Sequence, residues 1–236
     1  MKLRLFISSC IIIVCSALWG SPENPHHLDA YKKLKIDQRG PLKEIVSQAG
    51  NKSAEAVYTY NNKNQIESVV YFRNGQKEGE SKFTYGKSGI ESEVTMDTNG
   101  NEVEQVVYKY NSLGVLLGYS VKAGKDEIKW EYGLNNKTVT SGKRIVNGEI
   151  TETFKLTRNK DLETLKIFNS QGEEAGVIQV SFSNGKLKER VRKDETGLRK
   201  VTYTYSADGR LSNVKFFTIE NGKEIEQKSH QMVWGS

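Results

Sequence analysis

Cysteine and proline are nearly absent from this sequence. The two cysteines, Cys10 and Cys15, lie near the amino terminus, and all three prolines precede residue 42. If the first 20 residues are removed, no thiol remains, which excludes disulfides, Cys-ligated metal and a thiol nucleophile. A chain of this kind must be held by an apolar face and by backbone ladders. The long proline-free remainder suits continuous sheet, because proline removes a ladder donor. Histidine is limited to His26, His27 and His230. No H-E-x-x-H, paired-Cys, calcium-loop, G-x-S-x-G or phosphate-loop pattern occurs. Asp97 to Asn101 and Asp208-Gly209 resemble fragments of calcium loops but lack the ligand series, and they read as hairpin turns. The expectation is a chain with no enzyme activity, no catalytic or metal-ligating residues and no cofactor.

Charge is present but not segregated. The formal net charge is +6, with Lys and Glu interspersed along the whole chain. That pattern predicts a solvated surface. The most basic stretch, Lys186 to Lys200, interleaves Glu189, Asp194 and Glu195, so specific nucleic-acid binding is not expected.

The amino terminus reads as an export signal. Lys2 and Arg4 give a basic start, Leu5 to Val14 is largely apolar, and small residues follow at Ser16, Ala17, Gly20 and Ser21. That is the order of a secretory signal peptide, with cleavage after Ala17 or Gly20. The apolar run is shorter than the ~20 residues of a spanning helix, so no transmembrane span is expected in the mature chain. Ile7 to Cys10 resembles a lipobox but comes too early, before a full apolar region has passed, so lipid attachment is the less favoured reading. The division is residues 1–20 as signal peptide, 21–33 as a proline-containing arm, and 34–236 as one repeat domain.

The remainder is rich in tyrosine and repeats itself. Aromatic or apolar pairs recur at Tyr58 and Tyr60, Phe83 and Tyr85, Tyr108 and Tyr110, Trp130 and Tyr132, Phe154 and Leu156, Val180 and Phe182, and Tyr203 and Tyr205. With Ile36 as a degenerate first copy, the second members recur every ~24 residues, the length of one two-stranded unit with its turns. After each pair come turn residues, then an apolar residue such as Ile66, Ile90, Leu116, Leu187 or Leu211. A glycine turn follows, at Gly50, Gly75, Gly100, Gly124, Gly148, Gly172, Gly197 and Gly222. Four of these glycines follow asparagine, the pair that suits a type I′ hairpin. Lys82-Phe-Thr-Tyr85 and Lys129-Trp-Glu-Tyr132 alternate polar and aromatic with a period of two, giving one apolar and one wet face. The sequence therefore predicts an all-β chain. It is an antiparallel meander of about eight hairpin repeats and sixteen strands, forming an elongated curled sheet or an open barrel. Ser229 to Trp234 is expected to add a last strand, with Met232 or Trp234 covering the end.

Tyr203-Thr-Tyr-Ser-Ala-Asp-Gly-Arg-Leu211 resembles the YD repeat of Rhs-type proteins, and Tyr108 to Leu116 is a looser copy. Tyr71-Phe-Arg-Asn-Gly-Gln-Lys-Glu-Gly79 resembles MORN-like units of bacterial antitoxins. The resemblance spreads over residues 34 to 226 in short degenerate motifs and implies an array of β-hairpins. Fold analogy alone does not carry function.

The leading functional expectation is a non-enzymatic exported protein of the periplasm or cell surface. It would present an extended surface to a macromolecular partner: an envelope protein, a host protein or a glycan. An immunity or antitoxin-like protein is the alternative. An outer-membrane barrel is disfavoured because strands such as Lys186 to Lys193 are too charged for lipid. The candidate binding surface is the ladder Tyr58, Tyr60, Tyr85, Tyr108, Tyr110, Trp130, Tyr132, Tyr203 and Tyr205. The competing reading of the same ladder is the buried face of the sheet.

Overall fold

The computed structural model describes residues 40–48 and 50–235. The export signal, the proline-containing arm and the strand expected around Ile36 lie outside the described residues.

Sixteen antiparallel strands form one sheet. They are β1 (Lys43–Gln48), β2 (Asn51–Tyr60), β3 (Ile66–Arg73), β4 (Gln76–Gly86), β5 (Gly89–Asp97), β6 (Glu102–Tyr110), β7 (Leu116–Ala123) and β8 (Asp126–Asn135). The second half comprises β9 (Thr138–Val146), β10 (Glu149–Asn159), β11 (Leu162–Asn169), β12 (Glu174–Ser183), β13 (Lys186–Asp194), β14 (Gly197–Tyr205), β15 (Leu211–Glu220) and β16 (Lys223–Val233). Each pairs with its chain neighbours, and β16 also pairs with β1. The described residues contain no helix.

The expected sixteen-strand meander is present, but the elongated or open sheet is corrected to a closed barrel. Closure follows from the tail. The tail expected to add a last strand does so as the end of β16, and Lys43 to Gln48 of β1 pair with its Val233 to Lys228. Closure satisfies both edges that an open sheet would leave unpaired. Trp234 covers this end, its indole N–H donating to the Leu211 carbonyl at 2.7 Å.

Alternation sets which side of each strand faces in. In β10, Phe154 and Leu156 are buried while Lys155 and Thr157 are exposed. In β11, Glu163, Leu165 and Ile167 are buried and Lys166 is exposed. Register carries the inward row from strand to strand: Phe154 faces Ile167, Leu156 faces Leu165, and Leu165 faces Ile178. The inside holds Ala56, Val69, Val106, Leu165, Val180, Val201 and Val214 together with most of the tyrosines.

A bulge recurs at the end of the aromatic strands. The register shifts by one residue between Thr59 and Tyr60, Thr84 and Tyr85, Lys109 and Tyr110, Gly133 and Leu134, Ser181 and Phe182, and Thr204 and Tyr205. The extra residue sits on the return strand, as with Glu67, Glu91, Leu117 and Lys188. It lets two apolar residues three positions apart, Leu116 and Tyr119, both point inward and become buried. The turns vary more than the asparagine–glycine pairs suggest. Asn74-Gly75, Asn147-Gly148, Asn184-Gly185 and Asn221-Gly222 have positive φ at both positions, as a type I′ turn demands. Asn99-Gly100 does not: only Gly100 has positive φ, and the loop is tied by Asp97, whose carboxylate accepts the Asn99 and Asn101 N–H groups.

Candidate functional site

The predicted aromatic ladder lies on the inward side of the wall. Tyr58, Tyr108, Tyr132 and Tyr203 are buried. Tyr60, Tyr85, Tyr110, Tyr205 and Trp130 are intermediate in exposure. Four of the second-position tyrosines tie one hairpin to the preceding one through backbone. Tyr60 donates to the Pro41 carbonyl (2.7 Å), Tyr85 to Ile66 (2.9 Å), Tyr110 to Ile90 (3.0 Å) and Tyr205 to Leu187 (2.9 Å). Burial holds the Tyr85 hydroxyl at a pKa of about 12, so it remains a donor. Where the repeat lacks a hydroxyl, at Leu156 and Phe182, this tie is absent by composition.

The rings are continuous along one arc of the inner wall. Tyr108 packs on Tyr119 at 6.0 Å, Tyr119 on Tyr132 at 6.4 Å, and Tyr132 on Phe154 at 6.2 Å, with Trp130 at 6.3 Å from Phe154. Tyr132 and Phe154 meet over Gly142, their common register partner on β9. A Cβ there would run into the Phe154 ring. Sequence reading found Tyr108, Trp130 and Tyr132 but omitted Tyr119 and Phe154 from the ladder. Tyr119 sits alone on a return strand and carries no repeat signal.

Besides Glu163, which pairs with Arg158 at 2.6 Å, two groups of buried polar side chains interrupt the apolar lining. Glu93 of β5 and Glu104 of β6 share the inner face, Glu93 facing Val106 and Thr95 facing Glu104. The Glu93 carboxyl is pushed up to about 7, first by burial and then by the Glu104 carboxylate, while a hydrogen bond from Ser81 opposes the rise. Glu93 keeps some accessible surface as a residue, yet its carboxyl is surrounded by protein, and the second fact governs its titration. Ser81 also accepts from the Tyr71 hydroxyl at 2.9 Å and lies 2.8 Å from the Thr95 hydroxyl.

The second group is at the junction of β1 and β16. His230 Nδ1 is hydrogen-bonded to Glu44 Oε1, and Tyr58 donates to Glu44 Oε2 at 3.1 Å. Phe216 packs on the His230 ring at 4.9 Å, and the Lys228 ammonium lies over Phe216 at 4.4 Å from its centroid. Burial lowers the Lys228 pKa, with Glu44 opposing. Nothing short in the sequence marks Glu44, Glu93 or Glu104. They are single carboxylates at inward positions of otherwise ordinary strands.

These groups include a carboxyl that titrates near neutrality, the kind of perturbation that clusters at functional sites. The Tyr58–Glu44–His230 network contains no serine or cysteine to activate. Among the described residues no group of three or more His, Cys, Asp or Glu is placed to hold a metal ion.

The outer wall is of opposite character. Lys43 pairs with Glu55 (3.0 Å), Lys129 with Glu127 (2.8 Å), Lys143 with Glu131 (2.8 Å) and Lys215 with Glu226 (2.8 Å). Lys200 bridges Glu189 and Glu224 across β13, β14 and β16 (2.8 and 2.9 Å). Val107 and Leu117 are exposed apolar residues on β6 and β7, and Leu113 is exposed in the turn between them. The described residues contain no helix long and apolar enough to cross a membrane.

No family model and no curated protein sequence matches the chain. Among solved structures it is similar to a porin-like protein from Bacteroides uniformis ATCC 8492, at 11% identity and a TM-score of 0.52, over 81% of this chain and 96% of that one. A protein of unknown function from Bacteroides fragilis NCTC 9343 aligns over 75% of this chain and 90% of its own, at 11% identity and a TM-score of 0.16. The TcdB2-TccC3-Cdc42 complex aligns over 75% of this chain and 12% of its own, at 9% identity and a TM-score of 0.26. Of the three, the first shares the barrel fold.

Proposed function

We propose that the chain is an exported, non-enzymatic barrel that works in water and engages a macromolecular partner through its outer wall and turn rims. The observation that carries this reading is the polarity of the wall. Most aromatic side chains and the buried aliphatic ones point in, and ion-paired Lys and Glu point out among scattered exposed aliphatics. A barrel seated in lipid needs the reverse, an apolar outer band about 25 Å tall. Lysine at mid-strand on the lipid face costs about 2–4 kcal/mol, and this wall carries it on strand after strand. With the tyrosines committed to the interior, the surface left for a partner is the charged wall with exposed Val107, Leu113 and Leu117.

The test expresses the full chain with its leader and fractionates the envelope without detergent. Photo-crosslinking side chains replace Val107 or Leu117 outside and Tyr108 inside. The reading requires soluble material and capture of an envelope or host macromolecule from the outer positions alone. An integral membrane species whose gel migration changes on heating would replace it with a pore.

A further inference from the structure

Among the described residues, fifteen of the sixteen strand pairings join strands adjacent in the chain, and only β1 with β16 joins distant ones. In a hairpin the turn fixes the register. At the seam no turn exists. The pairing there spans the six residues of the shortest early strand, Lys43 to Gln48. A slip of two residues would keep every side chain on its own face, so alternation alone does not forbid it.

What distinguishes one register from its neighbours is side-chain chemistry across the seam. Glu44 pairs directly with Met232 and Val46 with His230, which sets Glu44 diagonally against His230. Both are almost wholly buried, at 1% and 2% exposure. The imidazole Nδ1 meets Glu44 Oε1; Tyr58 of β2 takes the other carboxylate oxygen; Phe216 of β15 packs on the ring. The network thus ties four strands, two on each side of the seam. His230 Nε2 is buried without a hydrogen-bond partner, so the ring's only polar contact is the one across the seam. The slip that brings Ser47 opposite Gln231 would set Glu44 against Trp234 and His230 against Gln48, parting the buried carboxylate from the imidazole, and an uncompensated buried polar group is costly.

We propose that the Glu44–His230 pair is the latch that sets the register of β1 on β16, and that the barrel opens at this seam first when the pair is broken. Setting register is the best-attested use of a buried polar pair.

The test uses the full chain with paired cysteines on the outer face of the seam. Ser47 faces Ser229 in the native register, and Gln231 is the partner two residues away. S47C/S229C should form a disulfide in the parent and S47C/Q231C should not. In H230Q and E44Q backgrounds the second pair should become reactive. Amide exchange in β1 and β16 should rise at least tenfold, with β8 and β9 unchanged. Exchange rising equally in all strands, or no change at the seam, overturns the proposal. Should neither variant fold, amide exchange of the unmodified chain in mild denaturant decides. The latch requires β1 and β16 to open first as one unit, and opening that begins at any other pair of strands contradicts it.

Discussion

Glu93 is where a single side chain shapes the molecule's response to pH. Its carboxyl titrates at about 7 in the folded chain, against an ordinary value of 4.5. Between those two values the folded state holds a proton that the unfolded state has released, so stability falls as pH rises through that window and levels off above it. The loss is on the order of 3 kcal/mol. Replacing Glu93 with the neutral isostere Gln removes the proton, and urea midpoints should show E93Q matching the parent near pH 4 and exceeding it at pH 8. Gly142 carries a steric demand instead. Phe154 occupies the space a Cβ would need, so G142A should lose about 1–3 kcal/mol by overpacking, measured by equilibrium unfolding. Neither residue could be read as special beforehand. A carboxylate on a polar-rich strand looks the same whether it faces water or the interior, and a glycine in a strand looks like a weak point rather than a seat for two rings.

The hairpin was the most legible level of this protein. Paired aromatics, turn residues and recurrent glycines marked most strands from β2 onward, because alternation and turn chemistry are local, although the last strand begins at Lys223 and not at Ser229. The bulges were not legible. A return strand whose apolar residues fall three apart, as Leu116 and Tyr119 do, reads as broken alternation unless the extra residue is recognised. At four of those bulges the second tyrosine, Tyr60, Tyr85, Tyr110 or Tyr205, donates to a carbonyl of the preceding hairpin. Y85F and Y110F should therefore each cost about 1 kcal/mol, and exchange of the neighbouring hairpin's amides should report the loss. The turns give a sharper contrast. Asn74 holds φ at +50° and Asn99 does not have positive φ. N74A should destabilise by about 1 kcal/mol through αL strain, while N99A should fall within ~0.5 kcal/mol of the parent, both by thermal unfolding.

Closure of the wall is a property of the whole molecule and was out of reach of local pattern. Eight tandem hairpins are compatible with a ribbon or a ring, and the choice depends on whether the last strand meets the first with a complementary edge. The tail was correctly read as strand, but its partner lies at the other end of the chain, where β1 repeats the pattern only faintly. The sidedness was legible as an alternative: the same ladder could be a platform or a lining, and the barrel makes it a lining. On the proposed reading, the outer face meets water. Spin labels at Lys82, Lys109, Lys129 and Lys155, read against a water-soluble nickel chelate and against oxygen with lipid vesicles present, measure that most directly. The account predicts high accessibility to the chelate at all four sites, unchanged by vesicles. Labels that become shielded from the chelate and accessible to oxygen in the bilayer would contradict it.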